Sequence, residues 1–182
     1  MHIEEQISRE SGAHGKQWHS MHDGYFADAA VARPLIETII RHVSDSDTDI
    51  VVDLGGGTGF ILQRLIAAGL SRHIASVNLD CSASQLGAMK ENRIACVNRY
   101  ISDFTRRDLA DENKHISFIM RSVLHYFGQN GLTPVLRHIR RQAKDGEVFI
   151  HQTACFENET DAQCINFLYQ AMHTPKWYPT VG

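Results

Sequence analysis

A chain of 182 residues, 43% apolar and 21% charged, has room for one domain with a real core, which excludes intrinsic disorder, a coiled coil and a collagen-like fibre. Eighteen Lys and Arg against 21 Asp and Glu leave a net charge of −3, so no global field draws the chain to nucleic acid or anionic lipid, and a polynucleotide substrate is disfavoured. No apolar stretch reaches the roughly 20 residues that span a bilayer, the acidic start Met1-His2-Ile3-Glu4-Glu5 is unlike a signal peptide, and Cys81, Cys96, Cys155 and Cys164 form no CxxC pair, so reduced thiols and a cytoplasmic location are expected.

In chain order, Trp18, Tyr25 and Phe26 precede a helix whose apolar stripe is Val31, Leu35, Ile36, Ile39, Ile40 and Val43. A polar linker, Ser44 to Asp49, leads to the β-branched strand Asp49-Ile50-Val51-Val52-Asp53-Leu54. After Gly55-Gly56-Gly57-Thr58-Gly59 comes a helix from Phe60 to Ala68, stopped by Gly69. A second strand runs from Ile74 to Leu79 and ends on Asp80; Ser82 then opens a capping box with Gln85. A third strand is predicted over Val97 to Ile101, ending at Ser102-Asp103-Phe104, and a fourth over His115 to Met120. Thr133-Pro134 reads as a helix start with Val135, Leu136 and Ile139 inward, Asp145-Gly146 closes that helix, and Glu147 to Gln152 is the fifth strand. Ile165, Leu168, Ala171 and Met172 suggest a last helix. The alternation predicts an α/β, Rossmann-like, doubly wound parallel sheet in residues 45–155, preceded by a helical lid in 1–44 and followed by a helix and tail in 156–182.

A glycine-rich turn between strand and helix lets backbone approach a ligand and aims amides at it, a device that nicotinamide-dependent oxidoreductases also use. Here the spacing is Gly55-x-Gly57-x-Gly59 rather than GxGxxG, and an acid, Asp53, ends the preceding strand. A pyrophosphate over this turn would meet Asp53 at a penalty of about 4 kcal/mol for like charges about 4 Å apart. S-adenosylmethionine brings an ammonium and a sulfonium and no phosphate. Asp80 is then placed for the ribose hydroxyls.

On these residues the chain resembles the class I S-adenosylmethionine-dependent methyltransferases, small-molecule branch. Val51 to Gly59 is similar to their first motif, Asn78-Leu79-Asp80 to the acidic ribose-binding motif, Ser102-Asp103-Phe104 to the adenine-contacting one, and Phe118 to Phe127 to the fourth-strand motif, with Ser117 where an aspartate is usual. The resemblance covers about residues 25–155. It implies a cofactor site of Asp53, Gly55, Gly56, Gly57, Asp80, Cys81, Ser102, Asp103, Phe104, Ser122 and Tyr25, with S-adenosylhomocysteine as product. It also implies in-line methyl transfer to a small-molecule acceptor, the alternatives being a nicotinamide-dependent oxidoreductase or a non-catalytic nucleoside-binding scaffold. The family's sheet carries two more strands, an antiparallel pair, for which the chain up to Gly182 has no room; a truncated chain is the first expectation, ahead of a partner chain completing the sheet or a shortened homologue with compromised activity.

His125, after the fourth strand, is a candidate general base, although methyl transfer from a sulfonium rests mainly on positioning. His14, His19 and His22 lack companions at ligand spacing, so no metal is expected. Arg137, Arg140, Arg141 and Lys144 read as a solvated helix face, and the edge of the fifth strand is a candidate homo-oligomer surface. No membrane partner is expected.

Overall fold

The computed structural model describes residues 8, 17–18, 24–174 and 176–181. The elements are α1 (Ala29–Ser44), β1 (Ile50–Leu54), α2 (Phe60–Ala67), β2 (Ala75–Asp80), α3 (Ala83–Ala88), β3 (Ile94–Asn98), β4 (Ile116–Arg121), α4 (Gly128–Gln142), β5 (Val148–Gln152) and α5 (Glu159–Ala171). The strands form one sheet in the order β3-β2-β1-β4-β5, every neighbouring pair parallel. The chain steps outward from β1 through β2 to β3, then returns to the other side of β1 with β4. This reversal parts the loops above β1 and β4 and opens a crevice at their carboxyl ends.

Strand alternation divides the core in two. Ile50, Val52 and Leu54 join Phe118, Met120, Val135 and Ile139 on the face covered by α4. Val51 and Ile119 point the other way, into Ala32, Leu35, Ile39, Ile61, Leu62 and Leu65 of α1 and α2. Asp28 starts α1 by accepting the Ala30 and Val31 amides at 2.7 and 3.2 Å. Gly69, with φ of 96°, ends the α2 segment where the sequence placed its stop. Below the sheet, at the amino ends of β4 and β5, Glu147 accepts a two-pronged bond from Arg106 (2.6 and 2.7 Å) together with the Ile116 and Lys144 amides.

Three local expectations are corrected. β3 begins at Ile94 and ends at Asn98 rather than spanning Val97 to Ile101, because Ile94 to Asn98 pair with Ser76 to Asp80 and Ile101 turns inward over the glycine loop. α4 starts at Gly128, with Thr133-Pro134 inside it; Phe127 and Leu132 pack on the core and draw the helix upstream, at the loss of one ladder bond to the proline. The capping box at Ser82 is half made. Its hydroxyl accepts the Gln85 amide, but the Ser82 amide is taken by Asp80, and the Gln85 side chain donates instead to the Trp18 carbonyl. Among the described residues, no helix is long and apolar enough to cross a membrane. The predicted last helix forms as α5, yet Phe167, Leu168 and Met172 are exposed.

Candidate functional site

The crevice holds a cavity of about 360 Å³, within the range of small-ligand sites. Its floor is Asp53, Gly55, Gly56 and Gly57 at the β1 tip, with Asp80, Cys81 and Ser82 from β2. Tyr100, Ile101 and Ser102 form one side, and Arg121, Ser122, Val123, Tyr126 and Phe127 the other. Trp18, Phe26 and Phe60 also line it.

The glycine loop is fitted closely to the strand tips. A Cβ on Gly56 would collide with Asn78 Oδ1 and come within 2.6 Å of Asp53 Oδ2, so only glycine is accommodated. The same point is therefore flanked by two buried oxygens, and neither has a hydrogen-bond donor among the described residues. The Asn78 amide nitrogen is already used, donating to the Gly57 carbonyl at 2.9 Å. Asp80 accepts the Gly57 amide at 2.9 Å through one oxygen and the Ser82 amide at 2.7 Å through the other. The Cys81 thiol and amide also engage this carboxyl.

Two buried acids this close repel each other's charge. Burial, then the neighbouring Asp80, raises the Asp53 carboxyl to about 7, against the opposing pull of Arg121. Burial also raises Asp80, opposed by the Ser82 and Gly57 amides. Burial and the Asp80 charge push the thiol of half-buried Cys81 up to about 12. The cavity floor thus offers a second acid beside a buried acid whose Oδ2 has no donor among the described residues, acceptors suited to ammonium and hydroxyl groups.

Arg121 is the charged residue that the motif reading passed over. It is 9% exposed and donates to the carbonyls of Phe26 and Tyr25 and to Gln152, each at 2.9 Å. Its guanidinium lies 5.0 Å from the Tyr25 ring centre and 5.7 Å from that of Phe60. The available signal was a cation ending the apolar run Phe118-Ile119-Met120. Ser122 follows with φ of 57°, an unfavourable conformation for a residue with a Cβ, held by its amide on the Gln152 carbonyl and its hydroxyl on that of Tyr25.

Of the expected cofactor residues, Asp53, Gly55, Gly56, Gly57, Asp80, Cys81, Ser102 and Ser122 line the cavity. Tyr25 stands behind it, on Arg121 and Ser122. Asp103 and Phe104 do not line it: β3 ends earlier than expected, so Tyr100 to Ser102 hold the place beyond the strand tip. Asp103 is exposed, and Phe104 is fully buried against Phe118 and His138. The base expected at His125 is likewise displaced from the cavity. Its ring is 2% exposed, packed between Tyr126 and Tyr178 at 4.3 and 4.9 Å, and gives no face to an acceptor there. His14, His19 and His22 lie outside the described residues. On the α4 face, Arg140 pairs with exposed Asp145 at 3.0 Å and none of the four basic residues reaches the cavity.

No family model and no curated protein matches the sequence. Solved structures do match in shape. DhpI in its SAM–HEP complex is 17% identical with a TM-score of 0.57, over 90% of this chain and 70% of DhpI. Human N-acetylserotonin methyltransferase in complex with SAM is 15% identical with a TM-score of 0.58, over 82% and 43%. An O-methyltransferase family protein from Burkholderia thailandensis is 18% identical with a TM-score of 0.59, over 94% and 54%. The chain thus spans 43% to 70% of the length of these structures. With its strand order, its glycine loop and its two strand-tip acids, the chain has the fold of the class I S-adenosylmethionine-dependent methyltransferases.

Proposed function

We propose that the chain binds S-adenosylmethionine and transfers its methyl group in line to a small-molecule acceptor. The observation that carries the reading is Asp53 Oδ2, buried in the cavity floor, without a donor among the described residues, and raised toward neutrality. An ammonium can donate to that oxygen, and the ribose hydroxyls to the Asp80 carboxylate. Tyr100, Ile101 and Ser102 take the adenine end in place of Asp103 and Phe104, and Ser122 the methionine end. SAM is also the ligand named in the DhpI and human N-acetylserotonin methyltransferase complexes.

When bound, the cofactor supplies an electrophilic methyl on a cationic sulfur, whose departure as a neutral thioether needs no proton. The chain's residues then have two tasks, orientation and exclusion of water. Asp53 and Asp80 fix the two polar ends, while Trp18, Phe26, Phe60, Tyr126 and Phe127 surround the remainder with apolar ring surface. That aromatic enclosure and the modest volume favour a metabolite over a polymer. Titration calorimetry with S-adenosylhomocysteine and with NADH tests the cofactor: binding of the first alone is expected, and binding of NADH alone overturns the reading. Methyl transfer from labelled cofactor to a panel of hydroxyl, amine and carbon nucleophiles tests the reaction; tight product binding with transfer to none of them would point to the scaffold alternative.

A further inference from the structure

Lys176 is 6% exposed, deep for a lysine. Its ammonium lies 4.4 Å from the ring centre of Tyr169, 5.1 Å from Tyr126 and 6.0 Å from Phe26. These rings come from α5, from the turn after β4 and from the turn before α1, segments far apart in sequence. Phe26 and Tyr126 line the cavity, whereas Tyr169 and Lys176 do not. The lysine therefore stands one ring behind the cavity wall. Its backbone surroundings are anchored: the Trp177 amide donates to the His125 carbonyl at 2.8 Å, and the Tyr178 amide to Asn166 at 2.8 Å.

Phe26 has a second cation on its other link to the fold, since its carbonyl accepts from Arg121. The Arg121 bond fixes the backbone of that turn, while the ring meets Trp18 and Tyr25 edge-on at 5.0 and 5.3 Å. We infer that Lys176 is a positioning residue whose ammonium, through cation–π contacts, holds the rings of Phe26 and Tyr126 as the aromatic wall of the cavity. The inference concerns the wall itself, whatever ligand fills the cavity.

Cys81 reports on it, because this half-buried thiol lines the same cavity as the two rings, and opening the wall exposes it further. In the ligand-free protein, iodoacetamide labelling of each cysteine is followed by mass spectrometry, with exposed Cys155 and Cys164 as internal references. Lys176→Met and Tyr169→Leu are each expected to speed Cys81 labelling by about tenfold through local opening, and Lys176→Arg to stay within about twofold of the parent. Ile139→Val, on the core face of α4, controls for general destabilisation and leaves the Cys81 rate unchanged. Parent rates in both Lys176→Met and Tyr169→Leu overturn the inference, as does an equal rise in Ile139→Val at the same loss of Tm. Should Lys176→Met not fold, Tyr169→Leu decides. Protection of Cys81 by S-adenosylhomocysteine in the parent is scored separately and bears only on the cofactor.

Discussion

Asp53 sits where charge is expensive. Its carboxyl is raised to about 7 from 3.8, so ionising it inside the ligand-free fold costs about 4 kcal/mol. Because the folded value exceeds the unfolded one, the native state loses this much as pH rises from about 4 to about 7, and no more above. Asp53→Asn removes the penalty, and its new amide hydrogens face the unpartnered Asn78 oxygen. We expect the variant to unfold at a higher temperature, by about 1–3 kcal/mol at pH 8, and to lose S-adenosylhomocysteine affinity by about a hundredfold. Thermal unfolding and calorimetry on the same preparation check both halves. The carboxylate must be ionised to hold an ammonium, so affinity should climb with pH up to about 7 and fall again as the ligand's α-amine, ordinarily near 8, deprotonates. A flat affinity profile between pH 5.5 and 8 contradicts this assignment of Asp53.

Elements meet their strongest polar joint at Glu147, which fastens the loop before β5 to β4 and to the turn at Arg106. Burial raises its carboxyl, but Arg106 and the Lys144 and Ile116 amides outweigh burial and hold it below the ordinary range. A lowered value means stability that is complete above about pH 4.5 and lost as pH falls through the folded value. Glu147→Gln leaves the largely buried Arg106 without its counter-charge, and a loss of about 3–5 kcal/mol in urea unfolding at pH 7 is expected. The sequence displayed Glu147 only as the first residue of a strand; its partner lies 41 positions away, beyond any local pattern. Helices and strands with a clear apolar period were legible: β1 and α2 fall within one residue of their expected bounds, and the apolar stripe Val31 to Val43 lies inside α1. β3 was not, because an edge strand buried at Ile94 but mostly exposed along Ala95, Cys96 and Asn98 carries little period to read.

At the scale of the molecule, the cavity floor could be read from sequence because each of its groups sits at or just past a strand end: Asp53, the glycines and Asp80. Its walls could be read only at Ser102 and Ser122, since Tyr100 and Arg121 meet there only through the strand order β3-β2-β1-β4. The slip at β3 carried Asp103 and Phe104 off the site for the same reason. A ligand that bridges floor and walls binds the assembled fold alone and must stabilise it by mass action. At a hundred times its Kd, S-adenosylhomocysteine should add about 2.7 kcal/mol and raise Tm by roughly 5–10 °C. NADH at the same concentration should leave Tm unchanged, and differential scanning fluorimetry with both compounds measures it.

The central place of β1 has a consequence for the nascent chain. β1, β2 and β3 are complete by Asn98, but the other neighbour of β1 begins at Ile116, and the last wall of the cavity comes later still. At about 5–20 residues per second of synthesis, the chain spends seconds with Asp53 and Asp80 already made and one flank of β1 bare. A ligand cannot rescue that species, for the groups that would enclose it have not been translated. Early protection of this half against aggregation therefore falls to α1 and α2, which precede β2 and already cover one face of β1.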